Sequence, residues 1–162
     1  MSRKSVIVDA NVWIDYYLPM RSNSEDARRF IDEACRRNAA LLYPVHCLKD
    51  VFYLLSNTLK AKQREATGSV SAQSAQAINA VVWSCVDSLC DSATAVGADQ
   101  SDVELARRYR SICPDLEDNF VMAAAERAQA NFIVTSDKKL LRASTVPAYT
   151  PADAIAYLRL ED

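Results

Sequence analysis

The order of apolar and polar positions divides the chain into short β-branched runs and longer stretches of helical period. Ser5-Val6-Ile7-Val8 and Phe132-Ile133-Val134 are unbroken apolar runs, too short for helices, and read as strands buried on both faces of a sheet. Ala40-Leu41-Leu42-Tyr43 is another such run. Thr94-Ala95-Val96 before Gly97 is a weaker one, and Val146-Pro147-Ala148-Tyr149 reads as an edge strand because proline cannot donate to a ladder. Between them the period changes to 3.6. Ala27, Phe30, Ile31, Ala34 and Cys35 predict an amphipathic helix over 24–37, and Leu48, Val51, Phe52, Leu55 and Leu59 predict one whose first turn suits Pro44. Ala75, Ile78, Val82, Val86 and Leu89 mark a third, with Trp83 beside its stripe. Ser101 and Glu104 form the pattern of a capping box for a helix ending near Cys113. Asp115 suits the N-cap of a helix through Val121, Ala124, Ala125 and Ala128, and Thr150-Pro151 opens a last helix through Ile155 and Leu158. The polar stretch 60–76, which includes Gly68, reads as the longest exposed connection. Strands alternating with helices predict an α/β fold, a three-layer sandwich around a short, mostly parallel central sheet. With 162 residues, half of them apolar, a single domain over 1–162 is expected.

Charge and cysteine content narrow the classes. Nineteen Lys and Arg against 21 acids give a net charge of −2, which excludes the broad cationic surface of a duplex-coating protein. No window approaches the roughly eighteen apolar residues of a membrane span, and Met-Ser-Arg-Lys leads straight into a strand, so a cytoplasmic protein is expected. The five cysteines are odd in number and lack any C-x-x-C, so they read as reduced core residues and not as a zinc site or disulfide frame.

The candidate chemistry lies in the acids. Asp9-Ala10-Asn11 follows the first strand, and Thr135-Ser136-Asp137 follows the run at 132–134. In an open α/β sheet the ligand crevice lies beyond the carboxyl ends of the strands, so Asp9 and Asp137 share a cavity if their strands are parallel neighbours. Asp115, Glu117 and Asp118 crowd one helix start, more acids than capping requires. Carboxylates sharing a cavity repel unless a proton or cation lies between them. Oxygen donors without paired His or Cys favour Mg²⁺ or Mn²⁺ over zinc. Asp50 and His46 fall off the apolar stripe of their helix, toward solvent or toward a cleft, and Trp13 and Tyr17 lie close enough in sequence to Asp9 to offer a base-stacking surface.

Asp9-x-Asn11 after the first strand, an acid in the helix after the second, the acidic helix start ending in Asp118-Asn119, and Val134-Thr135-Ser136-Asp137 together resemble the PIN-domain family of metal-dependent ribonucleases. The resemblance covers almost the whole chain. It implies a compact α/β fold and an acidic cluster binding Mg²⁺ or Mn²⁺, and many small bacterial members of the family are VapC-type toxins. By motif position it implies Asp9, Asp118 and Asp137 as metal ligands and Asp50 as a further catalytic acid, with Asn11, Asp115, Thr135 and Ser136 as supporting groups. Lys138, Lys139 and Arg142, which follow a proposed ligand, are the favoured contacts for substrate phosphates. One departure stands out: the family's second acid is usually Glu, and Asp50 is one methylene shorter. The expected function is an Mg²⁺- or Mn²⁺-dependent endoribonuclease that hydrolyses RNA phosphodiester bonds, as a candidate toxin of a toxin-antitoxin pair. Its candidate partners are RNA, a protein antitoxin and a second copy of itself. The alternative is a weakly active or inactive PIN-like module that binds RNA or protein, motivated by Asp50. A receiver-type phosphoacceptor also gathers acids at strand ends, but such domains pair acids after the first strand, where this chain has Asn11.

Overall fold

A computed structural model describes residues 3–160. Five strands, β1 (Ser5–Val8), β2 (Ala40–Pro44), β3 (Thr94–Val96), β4 (Phe132–Val134) and β5 (Ala148–Tyr149), form one sheet in the order β3-β2-β1-β4-β5. Every pairing is parallel, so the sheet expected to be mostly parallel is wholly so. Parallel strands need crossovers, and helices supply them: α1 (Ala10–Tyr17), α2 (Ser24–Arg36), α3 (Val45–Thr67), α4 (Ala72–Ser92), α5 (Gln100–Tyr109), α6 (Leu116–Arg127) and α7 (Lys138–Ala143), with α8 (Pro151–Arg159) following the last strand. The central strands carry the core. Val6, Ile7 and Val8 of β1 and Phe132, Ile133 and Val134 of β4 are fully buried, as unbroken apolar runs require.

The strand order reverses at β1. The chain passes from β1 outward to β2 and β3, then returns to the other side of β1 with β4 and β5, so the switch point lies between β1 and β4. Val8 pairs with Val134 at their carboxyl ends. Asp9 leaves the sheet directly after Val8, its N–H donating to the Val134 carbonyl at 3.0 Å, and Asp137 leaves three residues beyond Val134.

Several sequence expectations are corrected. The polar stretch 60–76 is mostly helical: α3 continues to Thr67, and only residues 68–71 connect it to α4. Lys, Gln, Arg, Glu and Ala are strong helix formers, so the stretch is an exposed helical extension with little to bury. Gly68 ends α3 at φ +81°, a left-handed conformation that glycine adopts without strain. The capping box of α5 is made by Asp99 and Asp102, not by Ser101 and Glu104, and the helix ends at Tyr109 rather than near Cys113. Arg127 reaches both Asp99, at 2.9 Å, and Asp102, which ties α5 to the end of α6. Cys47 and Cys113 are buried, but Cys35 and Cys90 are exposed, so the cysteines are not uniformly core residues. Trp13 is buried against Tyr16, which leaves it unavailable to stack on a base.

Candidate functional site

Beyond the carboxyl ends of β1 and β4 lies a cavity of about 210 Å³ lined by Asp9, Asn11, Asp50, Asp115, Glu117, Asp118 and Asp137, together with Arg21, Leu54 and Thr58. Four separate elements or junctions bring its acids together. Asp9 caps α1, Asp50 comes from α3, Asp115 caps α6, Glu117 and Asp118 lie in the first turn of α6, and Asp137 caps α7.

Asp9 is the most firmly held. One carboxylate oxygen accepts from the Ala10 N–H at 2.7 Å, and the other accepts from the Thr135 hydroxyl at 2.7 Å and the Asn11 amide at 2.8 Å. Asn11 in turn donates to Thr135 Oγ1 at 3.1 Å and accepts from the Ser136 N–H at 3.0 Å, and Thr135 Oγ1 accepts from the Asp137 N–H at 3.0 Å. Asn11, Thr135 and Ser136 thus tie the two strand ends together. Ser136 contributes through its backbone. Burial raises the Asp9 pKa, offset in part by the donors from Thr135, Ala10 and Asn11 and reinforced by the charge of Asp137.

Asp137 Oδ1 accepts from the N–H groups of Lys139 and Leu140 at 2.6 and 3.3 Å, and among the described residues Oδ2 has no hydrogen-bond partner. Asp115 Oδ1 accepts from the N–H groups of Glu117 and Asp118, so this acid caps α6 and lines the cavity at once. Asp118 is buried, and its only neighbouring donor among the described residues is the Cys113 thiol at 3.8 Å. Burial, then the charges of Asp137, Asp115 and Asp9, push its carboxyl up to about 6. Asp50 points into the cavity rather than to open solvent, with Lys49 Nζ at 3.7 Å from one oxygen. Glu117 lines the same cavity, and its carboxyl is raised by desolvation and then by the charges of Asp50, Asp9 and Asp115.

Some residues fall elsewhere. Lys138, Lys139 and Arg142 are exposed on α7 and do not line the cavity. His46 packs half-buried against Phe120 at 5.6 Å, where burial lowers its pKa, and it too lies outside the lining. Glu117 and Arg21 line the cavity without having been singled out from sequence as site residues. Glu117 looks like one more helix-start acid, and Arg21 sits in a turn where no periodicity operates. A signal for Arg21 existed in its partner: Asp15 interrupts the run Val12-Trp13-Ile14-Asp15-Tyr16-Tyr17, and an acid in such a run requires a cation nearby.

The lining offers hard oxygen donors in excess of any positive charge, which suits a divalent cation such as Mg²⁺ or Mn²⁺. Among the described residues no three acids close around a single point as a ready-made cage.

A family model described as PIN domain matches residues 5–139. No curated protein matches the chain in sequence. Among solved structures, three similar ones share its fold. VapBC2 from Rickettsia felis, bound to a DNA fragment from its promoter, aligns at a TM-score of 0.63 and 11% identity over 90% of this chain and 98% of that one. FitAcB from Neisseria gonorrhoeae aligns at 0.61 and 13% over 90% and 97%. PAE2754 from Pyrobaculum aerophilum aligns at 0.57 and 16% over 98% and 99%. At such identities the likeness speaks for the fold.

Proposed function

Because the chain belongs to the PIN-domain family, we propose that it is an Mg²⁺- or Mn²⁺-dependent endoribonuclease that hydrolyses RNA phosphodiester bonds. The observation that carries this reading is the convergence of Asp9, Asp118 and Asp137, with Asp50 and Glu117, on one cavity at the β1/β4 switch point. Acids gathered at a cost in repulsion call for a cation, and at Asp118 the charges of Asp137, Asp115 and Asp9 add to burial in pushing the carboxyl up to about 6. Asp9, Asp118 and Asp137 would hold the ion, which when bound supplies a more acidic attacking water and neutralises charge developing on the phosphate.

The rest is done by the chain. Thr135 and Asn11 fix the Asp9 oxygens, and the first turn of α7 fixes Asp137, so both carboxylates are presented in set orientations. Asp115 holds the start of α6 and thereby the position of Asp118. Glu117, whose carboxyl is raised by burial and by the charge of Asp50 beside it, can hold and pass on a proton at the cavity wall. The VapC-type branch of the resemblance extends the proposal to a toxin neutralised by a protein antitoxin.

The test is cleavage of single-stranded RNA by purified protein with Mg²⁺ or Mn²⁺, with EDTA, and by Asp137→Asn in the presence of metal. Cutting is expected only for the unaltered protein with metal. Undiminished cleavage in EDTA would overturn the metal-dependent mechanism, and metal-dependent binding of RNA without cleavage would favour the non-catalytic module. For the toxin proposal, expression should arrest growth, and co-expression of a protein encoded beside it should relieve the arrest.

A further inference from the structure

Asp15 is 1% exposed, one of the most deeply buried acids in the protein. An ionised carboxylate in that position is costly unless paired, so its partner must have a fixed place. That partner is Arg21, whose Nε donates to Asp15 Oδ1, while Asp15 Oδ2 is buried with no hydrogen-bond partner. The backbone of Arg21 is pinned as well: its N–H donates to the Leu18 carbonyl at 3.0 Å, and its own carbonyl accepts from the Ser24 N–H at 3.1 Å.

An ion pair serving stability alone is best made fork to fork, with two parallel N–H bonds to both carboxylate oxygens. Here the pair uses Nε. Among the described residues the terminal guanidinium nitrogens have no ion pair or hydrogen bond, the side chain is 44% exposed, and it lines the acid cavity. Arg21 is the one basic side chain among the residues that line it. It pairs with none of the cavity acids, so its charge stays available beside them. A ligand that suits this arrangement has an anionic group that must be brought up against carboxylates, and a backbone phosphate meets that description. A guanidinium fork matches non-bridging phosphate oxygens in shape and charge.

We propose that Arg21, held at the cavity wall by buried Asp15, is a docking point for a backbone phosphate of the RNA, and that Asp15 is its positioning residue. The proposal rests on the ribonuclease reading above. In it, the phosphate contact closest to the acids comes from the turn after α1, and not from the exposed cations of α7.

The test compares initial rates on one labelled single-stranded oligoribonucleotide in Mg²⁺ at several salt concentrations. The proteins are the unaltered chain, Arg21→Gln, Arg21→Lys, and the double variant Asp15→Asn with Arg21→Gln, which removes the buried charge together with its partner and so keeps the fold. The double variant should melt near the unaltered protein. It should raise KM about tenfold, the size of one charge-assisted hydrogen bond, while kcat changes less. Losing one phosphate contact should also make the slope of log(kcat/KM) against log salt shallower by about 0.7, and Arg21→Lys should restore most of that slope. A double variant that melts normally and keeps both the KM and the salt slope would show a purely structural ion pair and overturn the proposal. If the unaltered protein cuts no RNA in Mg²⁺, the ribonuclease reading fails first, before any variant is compared, and this proposal falls with it.

Discussion

At Asp118 burial and three neighbouring carboxylates act in the same direction. Its folded-state pKa of about 6 lies above the ordinary 3.8, so in metal-free protein the stability linked to this group is complete below the ordinary value and is lost as pH rises through about 6. Asp118→Asn should therefore stabilise metal-free protein above pH 6 by on the order of 1 to 2 kcal/mol, read as a higher melting temperature, and flatten the pH dependence between those values. A variant less stable than the parent across the range would mean that the carboxylate has a structural partner. Asp50 poses a different question, because its side chain is a methylene short of the family's usual Glu. Glu117 adds a longer carboxylate to the same cavity wall. Asp50→Ala should lower the RNA cleavage rate on the order of a hundredfold, and Asp50→Glu should preserve or raise it. Equal rates for Asp50→Ala and the parent would make Asp50 an ordinary surface acid. The identities of Asp9, Asp118 and Asp137 as cavity residues were legible in sequence, because each sits at a strand end or a helix start. The bonds that fix Asp9 were not: Thr135 lies 126 residues away, and only the pairing of β1 with β4 brings it within 2.7 Å.

Elements are joined by charges as well as by apolar faces. Glu33 of α2 is buried among Arg36, Arg37 and Arg159, so one carboxylate ties the end of α2 to the end of α8. The hydrogen bonds from Arg159 and then Arg37 hold its pKa down at about 2, against an ordinary 4.5. Its contribution to stability is thus present above 4.5 and is lost as pH falls from there toward 2. Glu33→Gln should melt at a lower temperature than the parent at neutral pH, and the difference should shrink as pH falls through that window. A constant difference would point to packing rather than charge. The helices themselves were largely legible, since α2, α4 and α8 carry apolar stripes of helical period. The end of α3 was not, because an exposed helix buries nothing and its polar composition looks like that of a loop.

The whole molecule sets the acids at the one point of the sheet where strand order reverses. Because its donors come from separate elements, a bound cation would cross-link α1, α6 and α7, and it would bind the folded chain far better than the unfolded one. Mn²⁺ should therefore raise the melting temperature of the unaltered protein, but not that of Asp9→Asn or Asp137→Asn. The shift should weaken as pH falls below about 6, where a proton on Asp118 competes with the metal. An equal Mn²⁺ shift in all three proteins would place the ion elsewhere. No helix among the described residues is long and apolar enough to cross a membrane.

The α/β class, the parallel character of the sheet and the acids worth watching follow from local pattern, because burial on two faces selects unbroken apolar runs and because strand ends and helix starts are where carboxylates are both tolerated and useful. What the amino-acid order by itself did not decide is which of many charges share a space. Glu117 and Asp115 look alike in sequence, yet Asp115 spends an oxygen on capping α6 while Glu117 lines the cavity wall with Asp50. Lys138 and Lys139 adjoin a proposed ligand yet lie outside the cavity, whereas Arg21 reaches its wall from a turn. Side-chain direction depends on helix rotation and strand register. Those are settled only when the core packs, since the apolar contacts that fix them join residues far apart in the chain.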